Sequence, residues 1–336
     1  MANPRIHLIG LGSIGTLVAH SLRSIPAPPP VTLLLHREAL YQQFISRGRK
    51  IHLQIGEGGP VQESGGYDVE LPGDATRSVT EPIHCLIVAT KAPATVSALQ
   101  PIQHRLGRQS TICLLQNGLG QIEELDKHLF PDPLTRPTYM FGIMRHGVYI
   151  KSPLEAVLAG RDGSGTIGVV NDQASSASRY LIDRLVAAPL LRCTEMPWRD
   201  LHQAQLLKLA TNCVVNPLTA LLDVRNGALL EHPVLHEMQH QLLEEISMVF
   251  RHLPELQHLP GVQGQLSVAA LEEQLTSNIQ KTASNSSSMR EDVRAGRATE
   301  IGFINGWVVR RGEEMGIPCP TNGCLAQLIL AQSLLQ

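Results

Sequence analysis

Residues 5–15 read RIHLIGLGSIG, and this segment predicts the architecture of the first half of the chain. Its first five residues form a short strand pattern, a GxGxxG loop follows directly, and apolar residues at helical spacing continue to Leu22. In such a unit the first glycine permits a tight turn, the second lets the backbone approach a pyrophosphate, and the third lets the helix pack against the strand. We therefore predict a dinucleotide-binding loop, with a plain βα turn as the alternative. The loop consists of Gly10, Leu11, Gly12, Ser13, Ile14 and Gly15.

The second strand pattern bears on which dinucleotide binds. A proline-rich connector at residues 25–30 leads into the apolar run 31–35, which ends in His36 and Arg37. Units that bind NAD usually carry an acidic residue here for the ribose hydroxyls, whereas a guanidinium suits a 2′-phosphate. Arg37 therefore predicts NADP(H), although the connector makes its spacing from Gly15 unusually long. An exposed loop arginine is the alternative.

Two later apolar runs end in polar residues. Residues 84–89 are followed by Lys91, and residues 111–115 are followed by Asn117 and Gly118. Parallel strands end at one edge of a sheet, where open α/β folds bind their ligands. We therefore predict that Lys91 and Asn117 line the cofactor cleft. The Asn117–Gly118 pair also fits an ordinary turn.

The remaining patterns divide the chain into two parts. Residues 137–170 alternate short strand patterns with glycine turns, and we expect them to form an antiparallel addition at the sheet edge. From Trp198 onward the pattern is helical. The sequence thus predicts an α/β fold with an N-terminal Rossmann-type NADP-binding domain at residues 1–196 and an all-helical domain at residues 197–336.

The first helix of the second half carries an aligned polar stripe. Residues 207–217 read LKLATNCVVNP, in which Lys208, Asn212 and Asn216 follow each other at intervals of four. This spacing places all three on one face of a largely apolar helix, where polar groups need partners. The stripe faces either solvent or a ligand. Pro217 is expected to end or kink the helix.

Two further candidates lie near the C-terminus. The polar run at residues 281–292 ends in Ser288-Met289-Arg290-Glu291, which fits a capping box that starts a helix and whose backbone N–H groups suit a carboxylate. Glu300 precedes an apolar helical pattern. It is a candidate functional carboxylate, and an ordinary surface carboxylate is the alternative.

Composition limits the class of protein. The net charge is −2 without a long run of one sign, so neither nucleic acid nor an anionic membrane is the expected partner. No apolar run approaches the length of a transmembrane helix, and the first strand begins too early to leave room for a signal peptide. The six cysteines contain no CxxC pair and are expected to be reduced packing residues. We expect a cytoplasmic protein without a metal site.

Together these motifs resemble the ketopantoate reductase family. The resemblance consists of the N-terminal GxGxxG, the strand-end lysine, the later Asn-Gly, Lys-x-x-x-Asn-x-x-x-Asn-Pro, Asn-x-x-Ser-Met and Thr-Glu-Ile, in the right order over nearly the whole chain. It implies NADPH-dependent reduction of 2-dehydropantoate to pantoate, a step of pantothenate and coenzyme A biosynthesis. Lys208 and Glu300 would be catalytic, and the substrate would be bound by Asn212, Asn216, Asn226, Asn285 and Ser288.

The chemistry agrees with these implied roles. Negative charge develops on a ketone oxygen during reduction, and an ammonium group beside it stabilises this charge and can donate the proton. Alternatives stay open: a reductase of another 2-oxo acid, or an inactive NADP-binding relative with a regulatory role. A homodimer is compatible with the sequence.

Overall fold

The computed structural model describes residues 4–73, 79–160, 162–258 and 260–335. Its contacts divide the chain into two units. The first unit comprises Met1–Gln116 and Gln121–Leu201, and the second comprises Asn117–Gly120 and His202–Gln336. The short piece at residues 117–120 therefore packs with the helical half. The domain boundary expected at residue 196 stays a prediction.

The first unit contains twelve strands and five helices among its described residues. The strands are β1 (Ile6–Ile9), β2 (Val31–Leu34), β3 (Ile51–Ile55), β4 (Val61–Ser64), β5 (Tyr67–Glu70), β6 (Cys85–Val88), β7 (Thr111–Leu114), β8 (Thr138–Met144), β9 (Val148–Ser152), β10 (Glu155–Leu158), β11 (Gly165–Val169) and β12 (Cys193–Glu195). The helices are α1 (Ser13–Arg23), α2 (Glu38–Ser46), α3 (Thr95–Leu99), α4 (Gln121–His128) and α5 (Ser176–Val186).

An eight-stranded sheet forms the centre of this unit, in the order β12-β11-β8-β7-β6-β1-β2-β5. Strand β11 pairs antiparallel with β8, and the other pairs in this sheet are parallel. Strands β1, β2, β6 and β7 are buried along their whole length, as expected for parallel strands covered on both faces. Strand β1 lies between β2 and β6, so the chain order reverses beside it, which is where open α/β sheets form their ligand crevice. The predicted Rossmann-type architecture is confirmed.

The segment at residues 137–170 is not a simple edge addition, and this prediction was wrong in part. Strands β8 and β11 join the main sheet, whereas β9 and β10 form a second sheet with β3 and β4, in the order β4-β3-β10-β9. Strand β3 lies in residues 48–82, which are rich in glycine, and pairs parallel with β10, about a hundred residues later in the chain. Alternating patterns identify strands, but they do not identify the partner of a strand that pairs at long range.

The described part of the second unit is helical, as predicted. Its helices are α6 (Trp198–Leu222, which begins in the first unit), α7 (Pro233–His252), α8 (Val262–Gln265), α9 (Val268–Lys281), α10 (Ser288–Arg294), α11 (Asn305–Met315) and α12 (Pro320–Leu334). The apolar stripe of α7, including Leu242, Ile246 and Phe250, is fully buried in the core. Helix α6 does not end at Pro217 but continues to Leu222, so of the two expected outcomes, a helix end or a kink, the helix end is wrong.

The cysteines are all free thiols, and Cys324 is exposed whereas the other five are buried. Burial raises the pKa of Cys85 and of Cys193 to about 12, which keeps both thiols protonated. Within the described ranges, no group of three His, Cys, Asp or Glu side chains is arranged to hold a metal ion. The same ranges contain no helix with the length and apolarity needed to cross a membrane.

Candidate active site

Two glycines of the GxGxxG loop are required by the fold itself. Gly10 has a φ of +96°, and a Cβ atom there would lie 2.3 Å from the backbone nitrogen of Thr90. A Cβ atom on Gly15 would lie 1.8 Å from the carbonyl oxygen of Gly10. The turn after β1 and the start of α1 therefore close on each other and on the end of β6 more tightly than any side chain allows.

Gly12 differs from its neighbours because no atom lies within 4 Å of the position its Cβ would take. It is the N-cap residue of α1 and has no side chain to pair with the N–H groups of the first turn. The missing side chain thus leaves open space at a helix N-terminus, where backbone N–H groups and the helix dipole favour an anion. This arrangement fits a dinucleotide pyrophosphate held by Gly12, Ser13 and Ile14, with partly buried Leu11 beside them.

Arg37 and Lys91 follow two strands of the same unit, β2 and β6, which lie on either side of β1. Arg37 is exposed in the N-cap position of α2, three residues after the end of β2. The pKa of the adjacent His36 is lowered, first by partial burial and then by the charge of Arg37. Lys91 is partly buried and precedes a 3₁₀ turn, one residue beyond the Thr90 nitrogen that crowds Gly10. Both side chains follow strand ends on the side predicted for the cofactor.

Three functional groups predicted from distant parts of the sequence meet in the second unit. The Nζ atom of Lys208 donates to Oδ1 of Asn117 at 2.9 Å. Nδ2 of Asn117 in turn donates to Oε2 of Glu300 at 3.3 Å. Asn117 therefore joins a cation to an anion, because its amide offers an acceptor to the first and a donor to the second. The sequence had suggested a place for Asn117 near the cofactor, but it did not predict this bridge.

The turn at Asn117–Gly120 explains how Asn117 reaches this position. Gly118 has a φ of +81°, and a Cβ atom there would lie 2.3 Å from the carbonyl oxygen of Phe303. That oxygen also accepts the N–H of Leu119 at 2.8 Å. The Asn-Gly pair thus forms a turn, and this turn is packed against the segment that follows Glu300.

Glu300 lies before a 3₁₀ turn (Ile301–Phe303), and helix α11 begins only at Asn305. The N–H of Phe303 donates to the Glu300 carbonyl oxygen at 2.9 Å. The irregular backbone at Ile304, with φ −107° and ψ −98°, interrupts a regular helix between the two elements.

The polar stripe on α6 is more buried at its Asn216 end than at its Lys208 end. Lys208 and Asn212 are partly buried, and Asn216 is only 7% exposed. Three residues beyond Asn216, the hydroxyl of Thr219 pairs with that of Ser287 at 2.6 Å. This contact joins the end of α6 to the start of α10, so the segment with Ser288 lies near the Asn216 end of the stripe.

The remaining predicted substrate residues are on adjacent segments. The backbone N–H of Asn226 donates to the carbonyl oxygen of Asn285 at 3.1 Å, and its Nδ2 donates to the Thr282 hydroxyl at 3.1 Å. Asn226 is buried, and its Oδ1 atom has no hydrogen-bond partner in the described structure. Asn285 is exposed.

Ser288 is exposed at the first position of α10, and the capping residue is its neighbour. Ser287 has an extended backbone, and its hydroxyl accepts the N–H of Arg290 at 3.1 Å. The predicted capping box was therefore placed one residue too late. This register leaves the Ser288 hydroxyl outside the cap.

Sequence reasoning missed Gln116, the residue directly before Asn117. Its Nε2 donates to the Thr95 hydroxyl at 2.6 Å and to the Thr90 hydroxyl at 3.1 Å, which ties the end of β7 to the chain after β6 around Lys91. The available signal was a polar residue directly after a buried strand, at the same edge as Lys91.

Comparisons with known proteins place these observations in a family. The family described as "Ketopantoate reductase PanE/ApbA" matches residues 6–172, and its C-terminal part matches residues 200–333. A 2-dehydropantoate 2-reductase from Vibrio cholerae is 31% identical over 325 residues, which are 96% of each chain.

Two solved structures are also similar. One is a probable 2-dehydropantoate 2-reductase from Bacillus subtilis, with a TM-score of 0.74, 25% identity and coverage of 98% of this chain and 99% of that chain. The other is D-mandelate dehydrogenase with NADH and anilino(oxo)acetate, with a TM-score of 0.78, 21% identity and 98% coverage of both chains. At this identity the second likeness concerns the fold alone.

Proposed function

The chain belongs to the ketopantoate reductase family of oxidoreductases, and on this premise we propose that it reduces 2-dehydropantoate to pantoate with NADPH. This reaction is a step in the synthesis of pantothenate and coenzyme A. The observation that carries the proposal is the bridge from Lys208 through Asn117 to Glu300. A lysine whose ammonium group is held by a neutral amide is suited to donate a hydrogen bond to a ketone oxygen.

The chain's own groups account for the polar part of the reaction. The Lys208 ammonium has three N–H donors, and its bond to Asn117 uses one of them. A second N–H can stabilise the negative charge that develops on the substrate's ketone oxygen and can transfer the proton to it. Glu300, linked through Asn117, would favour the charged form of the lysine and accept the alcohol hydrogen of the product. NADPH, when bound, supplies the hydride.

The cofactor would be held by the first unit. The open helix N-terminus at Gly12 supports a pyrophosphate site formed by Gly10, Leu11, Gly12, Ser13, Ile14 and Gly15. Exposed Arg37 would bind the 2′-phosphate, which is the reason to propose NADPH rather than NADH. Lys91 of this unit would lie near the ribose and nicotinamide.

The substrate would be bound mainly by amide and hydroxyl groups. Burial of Asn226 supports its role, because its Oδ1 atom lacks a partner in the described structure and such a buried amide is suited to a polar ligand. Asn216 is buried as well. The set also includes Asn212, Asn285 and Ser288. Cytoplasmic location and a homodimer belong to the same proposal, and light scattering of the purified protein tests the second.

One assay tests the function directly. Purified protein receives 2-dehydropantoate with NADPH or with NADH, and oxidation of the cofactor is followed by absorbance. We expect turnover that is faster with NADPH at low cofactor concentration. Lys208→Ala is expected to lower kcat by roughly 10²–10⁴-fold, the usual contribution of a general acid.

The exposed lysine Lys281, at the end of α9, provides the matched control. Lys281→Ala removes the same charge from the same unit and should leave kcat unchanged. An equal loss in both variants, or none in Lys208→Ala, would refute the role of Lys208.

A second candidate is a reductase of another 2-oxo acid, the alternative that the sequence motifs leave open. Turnover of the 2-oxo acid whose reduction gives mandelate, without turnover of 2-dehydropantoate, would favour this second candidate. NADPH binding without turnover of either compound would instead favour an inactive, regulatory relative.

A further inference from the structure

Pro217 leaves one carbonyl of helix α6 without its usual donor. In a regular helix the N–H of residue 217 would donate to the carbonyl oxygen of Cys213, but proline has no N–H. Cys213 is completely buried, so water cannot replace the missing donor. An unpaired buried carbonyl is costly, which means that the helix needs another donor at this point.

Asn305 provides that donor. Its Nδ2 atom lies 2.9 Å from the Cys213 carbonyl oxygen, and the Asn305 side chain is completely buried. Asn305 is the first residue of α11 and lies five residues after Glu300. The hydrogen bond therefore joins α6, which carries Lys208, to the segment that carries Glu300.

A second amide fixes the orientation of Asn305. Nδ2 of Asn322 donates to Oε2 of Glu245 at 2.8 Å, so the Oδ1 atom of Asn322 faces Asn305 and accepts from its Nδ2 at 2.9 Å. The other oxygen of Glu245 accepts the backbone N–H of Thr321 at 2.8 Å. Glu245 holds Asn322, and Asn322 accepts from Nδ2 of Asn305, so the Asn305 donor is aimed at α6 before any substrate binds. The Oδ1 atom of Asn305 is buried without a hydrogen-bond partner in the described structure.

We propose that Asn305 is a positioning residue for Lys208, an inference that rests on the proposed function. By pairing the carbonyl that Pro217 leaves open, it holds the Lys208 face of α6 at a constant distance from the Glu300 segment. These two elements carry the ends of the Lys208–Asn117–Glu300 bridge. Loss of Asn305 therefore loosens the geometry of the bridge without removing any of its groups.

A double-mutant cycle with Pro217 tests this link. Asn305→Ala is expected to lower kcat by about 10- to 100-fold, the range expected when a catalytic group is misplaced by about 1 Å, while the KM for NADPH stays unchanged. Pro217→Ala restores the helical donor to Cys213. In that background the same Asn305→Ala change should lower kcat at most a few-fold, so the two substitutions are strongly non-additive.

The control is a buried hydrogen bond of the same kind elsewhere in the unit. Ser247 on α7 donates to the carbonyl oxygen of Leu266 at 2.6 Å and is buried. Ser247→Ala should lower the midpoint of thermal unfolding but leave kcat unchanged. A loss of kcat in Asn305→Ala no larger than in Ser247→Ala, or an equal loss with and without Pro217, would overturn the proposal.

A measurement without substrate separates this inference from the proposed function. The protein is labelled with ¹³C at the lysine Cε atoms, and the Lys208 signal is assigned by its loss in Lys208→Arg. Asn305→Ala should shift this signal and Ser247→Ala should not. If the wild-type protein fails to reduce 2-dehydropantoate, the proposed function fails, and an unmoved Lys208 signal alone refutes the positioning role.

Folding of the variants is itself informative. Should Asn305→Ala fail to fold, the Pro217→Ala/Asn305→Ala variant should fold, because its Cys213 carbonyl again has a helical donor. Failure of both variants would contradict the assignment.

Discussion

The contrast between Gly12 and Gly15 allows cofactor binding to be separated from folding. A Cβ atom added at Gly12 meets no protein atom within 4 Å, and the backbone there is extended with a φ of −78°. A Cβ atom added at Gly15 would lie 1.8 Å from the Gly10 carbonyl oxygen and 2.9 Å from its carbon. The same chemical change, one methyl group, therefore has opposite consequences at two positions three residues apart.

The expected magnitudes follow from these distances. Gly12→Ala should change the free energy of unfolding by no more than about 0.5 kcal/mol, because it creates no clash and the conformation suits alanine. Gly15→Ala should cost about 3 kcal/mol, since backbone atoms have to move. In the bound state the Gly12 methyl group would occupy the space proposed for the pyrophosphate, and overpacking of about 1–3 kcal/mol would raise the Kd for NADPH by roughly 5- to 150-fold.

Two measurements on each variant check this prediction. Urea unfolding gives the stability, and a fluorescence titration with NADPH gives the Kd. For Gly12→Ala we expect wild-type stability with weak NADPH binding, and for Gly15→Ala we expect a loss of both. If Gly12→Ala bound NADPH as tightly as the wild type, the pyrophosphate would not approach Gly12 and the proposed cofactor site would be wrong.

Two further predictions concern other residues of the first unit. Arg37→Ala should raise the Kd for NADPH by about 10- to 100-fold, the contribution of a charge-assisted hydrogen bond, and leave the Kd for NADH unchanged. Equal effects on both Kd values would contradict the proposal that Arg37 binds the 2′-phosphate. Burial, and then Arg105, lowers the pKa of His7 to about 3, so its contact with Glu70 at 3.8 Å is not an ion pair at neutral pH. Between pH 6.5 and pH 3 only the unfolded state binds this proton. The free energy of unfolding therefore decreases by about 1.4 kcal/mol for each unit by which the pH is lowered in that window. Urea unfolding at pH 7 and pH 4.5 should show that the free energy of unfolding decreases less in His7→Gln than in the wild type. An equal decrease in both proteins would exclude His7 as the cause.

Much of the fold could be predicted because its signals are local. The β1–loop–α1 unit follows from eleven consecutive residues whose glycines have separate steric tasks. The helical second half follows from the periodic placement of apolar residues, and the stripe of α7 is buried as this periodicity predicts. Where the pattern concerns neighbours in sequence, a helix or a strand is decided within a few residues.

Two of the predictions that failed concern partners at long range. The pairing of β3 with β10 could not be predicted because each is only a short alternating pattern. The continuation of α6 through Pro217 could not be predicted because the compensating donor lies on another helix. In both cases the energetic gain comes from a partner that local periodicity does not identify.

The candidate site shows the same division. The sequence by itself determined the types of chemical group, such as a lysine and amides at intervals of four and a carboxylate downstream, because side-chain chemistry and helical spacing are local properties. Only the tertiary structure decided that Asn117 stands between Lys208 and Glu300. The physical reason is that these hydrogen bonds join residues about ninety and more than a hundred and eighty positions apart, and their geometry exists only after the intervening chain has buried its apolar surface.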